Sequence, residues 1–225
     1  MSGPLVVAVD GPAASGKSTL AKKLAAALGL AFLDTGLLYR AVGKRLLDAG
    51  ADPSDERAAL EAVASLRPEE VDAERLAGER IGEAASKVAA IPAVRAALLP
   101  WQRRFAHTPP GAVLAGRDVG TVVCPDARLK IYVTASLEER ARRRFEELRR
   151  RGEAPMLEAV LDELRERDRR DTERAVAPLR VADDARVLDT TELDAEAAFR
   201  AALRWAEAVV ARCSAAGPAG LDRNP

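Results

Sequence analysis

The sequence predicts an α/β protein with a five-stranded parallel sheet and helices on both faces. Three observations lead there. The apolar runs Leu5–Val9 and Ala112–Ala115 are continuous rather than alternating, the pattern of strands buried on both sides. Such runs alternate with longer stretches of helical periodicity, which argues for parallel pairing through crossovers. A glycine-bearing turn leads from the first strand straight into the first helix, at the strand end where these sheets bind ligands. At 225 residues, 48% of them hydrophobic, the chain has room for one domain with a substantial core.

The elements follow in order. The first helix runs to Leu28, where Gly29 is the expected C-cap, and Ala31–Leu33 is a short buried strand. Thr35 is placed to cap a helix reaching Asp48, with Leu37, Leu38, Ala41, Val42, Leu46 and Leu47 on its apolar side. A turn from Gly50 to Pro53 precedes a helix from Ser54 to Leu66, and the acidic stretch Pro68–Gly78 reads as helical in part. A helix over Glu79–Ala90 should break at Pro92 and resume from Val94 to His107. His107, the sole histidine, reads as a helix terminator rather than an acid–base group. The strand Ala112–Ala115 opens into Gly116-Arg117-Asp118-Val119-Gly120-Thr121. After the strand Leu129–Thr134, Ser136 caps a helix that carries Glu138 and Glu139 in its first turn and ends at Gly152. A second charged helix runs from Met156 through Arg174, Ala185–Asp189 forms the last strand, and Asp194–Ser214 is a closing amphipathic helix. Residues from Ala215 to Pro225 are small or polar and expected to fray.

Composition excludes several classes. Lys+Arg and Asp+Glu both number 35, so the net charge is zero and a nucleic-acid-coating protein is disfavoured. Few aromatics are present to stack on bases. Six of the cations are lysines, leaving 29 arginines, so any single arginine says little by itself. Cys124 and Cys213 match no disulfide framework or zinc spacing and read as inert small residues. No signal peptide precedes the first strand and no apolar run reaches the roughly 18 residues of a membrane span, so a cytoplasmic protein with no membrane partner is expected.

The chemistry begins at Asp10-Gly11-Pro12-Ala13-Ala14-Ser15-Gly16-Lys17-Ser18, which satisfies G-x-x-x-x-G-K-[ST] between a strand and a helix. Gly11 and Gly16 let the backbone curl until several N–H groups point at one anion, and the helix macrodipole adds to that field. Residues Gly11 to Thr19 are therefore expected to bind the phosphates of ATP, with Lys17 at the β- and γ-phosphates and the Ser18 hydroxyl on Mg²⁺. Downstream, Thr35 and Arg40 could hold a second phosphate-bearing molecule; a cap and a surface arginine is the plainer reading of those two alone. The run Arg140 to Arg151 is a solvated helix face or, beside a phosphate loop, a basic hairpin able to close on triphosphate. Arg167, Asp171 and Arg174 share one helix face.

Taken together, D-G-P-A-A-S-G-K-S, L-D-T-G-L-L-Y-R, G-R-D-V-G-T and R-D-x-R-D-x-x-R-A-V-A-P-L closely resemble the bacterial cytidylate kinases, in the family's order and over most of the chain. The resemblance implies the P-loop kinase fold and transfer of the ATP γ-phosphoryl group to CMP or dCMP. It implies that Ser86, Arg95 and Asp118 read the cytosine, that Arg40, Arg117 and Arg174 hold its phosphate with Thr35 nearby, and that Arg167 and Asp171 contact the sugar. Lys17, Arg117 and Arg174 are the implied catalytic cations. It divides the chain into a core (1–48, 109–140 and 175–214), a helical NMP-binding lobe (49–108), a small Arg-rich lid (141–174) and a tail (215–225). Oligomerisation is not expected, since no self-complementary surface stands out.

Two departures from that family are visible. An acid usually precedes Gly-Arg-Asp, and here it is Ala115; Asp34 or Asp10, both at strand ends, are the residues that could compensate at Mg²⁺. The family commonly inserts a small antiparallel hairpin sheet in the lobe, but between Asp48 and Ser86 there is no alternating pattern or Asn-Gly turn. A P-loop kinase for another acceptor and a non-catalytic nucleotide-binding module are the competing readings, the latter favoured only by Ala115.

Overall fold

The computed structural model describes residues 3–215. Five parallel strands form one sheet: β1 (Leu5–Asp10), β2 (Ala31–Asp34), β3 (Gly111–Gly116), β4 (Leu129–Thr134) and β5 (Arg186–Asp189), in the spatial order β2-β3-β1-β4-β5. The expected α/β class and strand set are thus present. Eight α-helices connect them among the described residues: α1 (Lys17–Leu28), α2 (Gly36–Asp48), α3 (Glu56–Ala64), α4 (Glu79–Val88), α5 (Pro92–Ala106), α6 (Leu137–Arg150), α7 (Leu157–Glu173) and α8 (Ala195–Ala215).

The period of the strand sorts the core into two faces. Val7 and Val9 of β1, with Val113 and Ala115 of β3, pack under α1 and α8. Val6 and Ala8, with Ala112 and Leu114, pack on the other side against Ala106 of α5 and the π-helical turn Val119–Val123. Both faces are covered, which is why these strands read as continuous apolar runs. A third cluster, built on α2 to α5, fills the helical lobe, and no strand occurs there.

Local expectations were met or corrected for identifiable reasons. Gly29 ends α1 in the left-handed region at φ 65°, and Ser136 Oγ accepts from Glu139 N as a cap. Thr35 stands at the N-cap position of α2, but its side chain does not cap: its hydroxyl donates to the Ala115 carbonyl at 2.9 Å, and Asp34 Oδ1 instead accepts from Gly36 N at 2.9 Å. The helix expected from Ser54 to Leu66 is α3, which begins at Glu56 because Asp55 Oδ1 accepts from Ala58 N as its cap. Pro92 opens α5 instead of merely interrupting a helix, because a first-turn N–H needs no partner. Pro68–Glu70 forms a 3₁₀ turn. The chain beyond Ala215, expected to fray, and the Cys213 side chain lie outside the described residues.

Asp10 closes the carboxyl end of the central strand. Its two oxygens accept from Val119 N at 2.8 Å and Gly120 N at 2.7 Å, tying β1 to the turn that follows β3. Burial outweighs those donors and raises its pKa from 3.8 to about 6. Between these values the folded state keeps a proton that the unfolded chain has released. This group's contribution to stability is therefore complete below 3.8 and lost as pH rises through 6. Asp10→Asn removes that titration, so in urea unfolding the advantage of wild type over the variant should shrink between about pH 4 and about pH 7. A constant difference would show that Asp10 does not titrate in this window.

Candidate active site

The glycine-bearing loop follows β1 and passes so close to β4 that its first residue can carry no side chain. A Cβ on Gly11, at φ 153°, would stand 2.0 Å from the Val133 carbonyl oxygen. Gly16 precedes α1 in the left-handed region at φ 85°, and Ala14 adopts φ 58°, a strained conformation for a residue with a side chain. Lys17 is buried and its Nζ donates to the Pro12 carbonyl at 3.0 Å. Burial first, then the Arg117 guanidinium, pushes its pKa well below the usual lysine range.

A cleft of about 600 Å³ opens beside the loop. It brings together Ala13, Ala14, Gly16, Lys17, Ser18 and Thr19 with Thr35, Arg40, Ser86, Arg95, Arg117, Asp118, Arg167, Asp171 and Arg174. Every acceptor-site residue singled out in the sequence lines this one space, although they come from α2, α4, α5, the end of β3 and α7. Gly11, Pro12 and Ser15, expected with the loop, do not line this cleft; Ser15 faces a second cavity instead.

One end of the cleft is lined by buried polar groups. The Arg95 guanidinium pairs with Asp118 Oδ2, both groups buried, while Asp118 Oδ1 stands 3.5 Å from Arg174 Nη2. Ser86 Oγ is buried beside them without a hydrogen-bond partner. Arg95 also lies over the Tyr39 ring, 5.5 Å from its centroid. Tyr39 was not singled out in the sequence; it lies on the turn of α2 that carries Arg40, which is the signal that could have found it.

The other end is a crowd of cations. Arg117 pairs with Asp171 at 2.7 Å. Arg40 Nη1 donates to the carbonyls of Leu76 and Gly78, and its guanidinium and that of Arg167 both crowd the position of a Cβ on Gly82. Burial, then Arg117, lowers the Arg167 pKa to about 10; Arg167 Nε is buried and unpartnered. The Asp171 carboxyl is held low despite its burial, because Arg117, Arg167 and Arg174 surround it. Arg143, Arg144, Arg150 and Arg151 add to the rim, whereas Arg142 turns outward to Glu139 and Glu146.

At the loop's mouth, Ser18 Oγ donates to Asp34 Oδ2 at 2.7 Å. Asp34 is the register partner of Ala115, so the two side chains share a sheet face. Asp10 is displaced onto the opposite face from Val9 and is consumed by the amides of Val119 and Gly120. Of the two carboxylates that could compensate for Ala115, only Asp34 meets Ser18. A second cavity of about 270 Å³ lies behind the loop, lined by Gly16, Thr19, Leu20, Arg143, Thr190 and Leu193 among others. Arg143 donates to Thr190 Oγ1 and to the Thr190 carbonyl there, and Thr190 Oγ1 reaches the Ser15 carbonyl.

The cytidylate kinase sequence profile matches residues 7–207. The chain belongs to the cytidylate kinase family. It is 63% identical over 204 residues to a cytidylate kinase of Methylobacterium sp. (strain 4-46), covering 91% of this chain and 97% of that one. It is 58% identical over 201 residues to a cytidylate kinase of Paramagnetospirillum magneticum, covering 88% and 95%. A solved structure of an uncharacterized protein from Eubacterium ventriosum shares the fold, with a TM-score of 0.53 at 13% identity over 90% of this chain and 98% of that one. Within the cytidylate kinase family, then, this chain combines a wholly helical lobe with Asp34 beside Ala115.

The Arg95–Asp118 pair has little solvent to fall back on. Arg95→Ala should cost about 3 kcal/mol or more in urea unfolding, because it strands a buried carboxylate. A loss below about 1 kcal/mol would mean that Arg174 alone suffices for Asp118.

Proposed function

We propose that the protein transfers the γ-phosphoryl group of ATP to CMP or dCMP, giving ADP and the nucleoside diphosphate. The observation that carries this reading is the trio Ser86, Arg95 and Asp118 at one end of a cleft whose other end is the phosphate loop. Cytosine offers an exocyclic amine to a carboxylate and ring acceptors to a guanidinium and a hydroxyl. The partnerless Ser86 Oγ gains a partner when such a ring arrives. Uracil presents an acceptor where Asp118 needs a donor, a mismatch that can reject a substrate by roughly 10⁴-fold in a buried site.

The remaining residues place the phosphates. Lys17 and the loop amides hold the donor's β- and γ-phosphates; Arg40, Arg117 and Arg174 hold the acceptor phosphate, with Thr35 near it; Arg167 and Asp171 meet the ribose. The cavity behind the loop, with Arg143 and Thr190, takes the donor's base. Cations on both phosphates offset the repulsion between two polyanions and align them for in-line transfer, where positioning and charge neutralisation do most of the work. Residues 49–108 serve as the acceptor lobe and 141–174 as a lid whose Arg144, Arg150 and Arg151 exclude water from the transferring group.

The Ser18 hydroxyl and the Asp34 carboxylate are hard oxygens suited to Mg²⁺. When bound, Mg²⁺ neutralises charge developing between the β- and γ-phosphates. Ser18 and Asp34 would hold it, Asp34 taking the place of an acid at Ala115. No helix of the described residues is long and apolar enough to cross a membrane. A cytoplasmic monomer acting on free nucleotides completes the reading.

A panel of CMP, dCMP, UMP, AMP and GMP with ATP–Mg²⁺ tests the assignment, with CMP or dCMP expected to turn over best. Faster diphosphate formation from UMP or AMP would overturn it. Asp118→Asn should lower kcat/KM for CMP by about 10²-fold or more while weak substrates lose much less; equal losses would make Asp118 structural. Asp34→Asn should raise the Mg²⁺ concentration for half-maximal rate by about tenfold. An unchanged dependence would remove Asp34 from the metal site.

A further inference from the structure

Arg140 is buried at the base of α6, yet the proposed reaction gives it no substrate to touch. Its guanidinium makes three bonds to three different bodies. Nε donates to the Ala135 carbonyl at the end of β4 (3.1 Å), Nη1 to the Ala13 carbonyl of the phosphate loop (3.3 Å), and Nη2 pairs with Asp168 Oδ2 of α7 (2.7 Å). Asp168 follows Arg167 directly, and Asp171 lies one turn further on.

The apolar packing runs along the same line. Ala13 belongs to a cluster with Ala141 and Leu148 of α6 and Val160 and Leu164 of α7, separate from the cores on the two sheet faces. The phosphate loop therefore leans on the lid helices, and one planar fork ties it to the helix that carries the acceptor-side residues. A lysine could not span the three acceptors, since its single ammonium lacks that geometry.

We propose that Arg140 and Asp168 form a register latch that couples the donor and acceptor sites, so that ATP and CMP each bind more tightly in the presence of the other. The proposal rests on the phosphoryl-transfer reading above. A ligand on the loop and a ligand on α7 both need the loop and the helix at one spacing. Whichever binds first holds the register that the second requires. Without the latch each site can still fill, but neither reports to the other. Arg140 and Asp168 are positioning residues in this scheme.

The test is calorimetric titration of CMP into the full-length protein, with and without a non-hydrolysable ATP analogue. Three forms are compared: wild type, Asp168→Asn, and the double variant Arg140→Met/Asp168→Leu. The double variant guards against misfolding, because apolar residues replace both halves of a buried pair. The analogue should tighten CMP by about fivefold or more in wild type, and by less than about twofold in both variants, while CMP and analogue affinities measured singly stay within about threefold. Wild type without coupling would overturn the latch. So would variants that keep it, or variants that lose single-ligand affinity in parallel with it. CMP turnover by the same wild-type preparation is scored separately. Absent turnover sinks the functional reading, whereas turnover with coupling intact in the variants sinks only the latch.

Discussion

Confining positive charge in a partly desolvated space is the constraint on which the rest of the site depends. Lys17, Arg40, Arg117, Arg167 and Arg174 converge on one cleft in which Asp118 and Asp171 are the buried carboxylates. Burial and mutual repulsion act together on Lys17, Arg40 and Arg167, whose pKa values all fall. A buried cation must be paired, so the protein assigns Asp171 to Arg117 and Asp118 to Arg95 and Arg174. What those carboxylates leave uncompensated is an unmet demand for anions. In the proposed reaction two phosphate groups would supply it, so that the arrangement that strains the protein alone would serve to hold two nucleotides together.

The alternation of side chains across a strand decides which acids can take part. Asp10 follows Val9 and so points to the opposite face, where two amides consume it. Asp34 stands opposite Ala115 in the parallel register and shares its face, within reach of Ser18. Moving an acid one strand sideways preserves its face, whereas moving it one residue along the strand does not. This is why a sequence with alanine at that strand end still presents a carboxylate to the helix N-terminus.

The Arg-rich segment is less a loose flap than a small core of its own. α6 and α7 pack through Leu148, Val160 and Leu164 onto Ala13 of the phosphate loop. Many of its arginines are spent on ion pairs with Glu139, Glu146, Glu147 and Glu166 along the helices, a pattern of exposed pairs that contributes little stability. Arg140 differs because it is buried and faces three separate bodies. Burial, not charge, distinguishes the structural arginine from its solvated neighbours.

Local chemistry made much of this legible in the chain itself. Continuous apolar runs announced the buried strands, Gly11 and Gly16 announced the loop, and glycine and serine caps placed several helix ends, because propensities, caps and steric limits act over a few residues. Three short motifs, with the segments around Ser86 and Arg95, pointed to residues that share the cleft, from Thr35 to Arg174. What the chain could not disclose depends on residues far apart in sequence. Thr35 turned from cap to tether once the Ala115 carbonyl came within reach; Tyr39 became the platform under Arg95; and Asp34 was separated from Asp10 only by strand register. Among twenty-nine arginines, the chain alone singled out Arg40, Arg95, Arg117, Arg167 and Arg174 and left the run from Arg140 to Arg151 undivided. Only the tertiary structure decided which ones lost their water, and desolvation is what turns a guanidinium from a surface charge into part of a site.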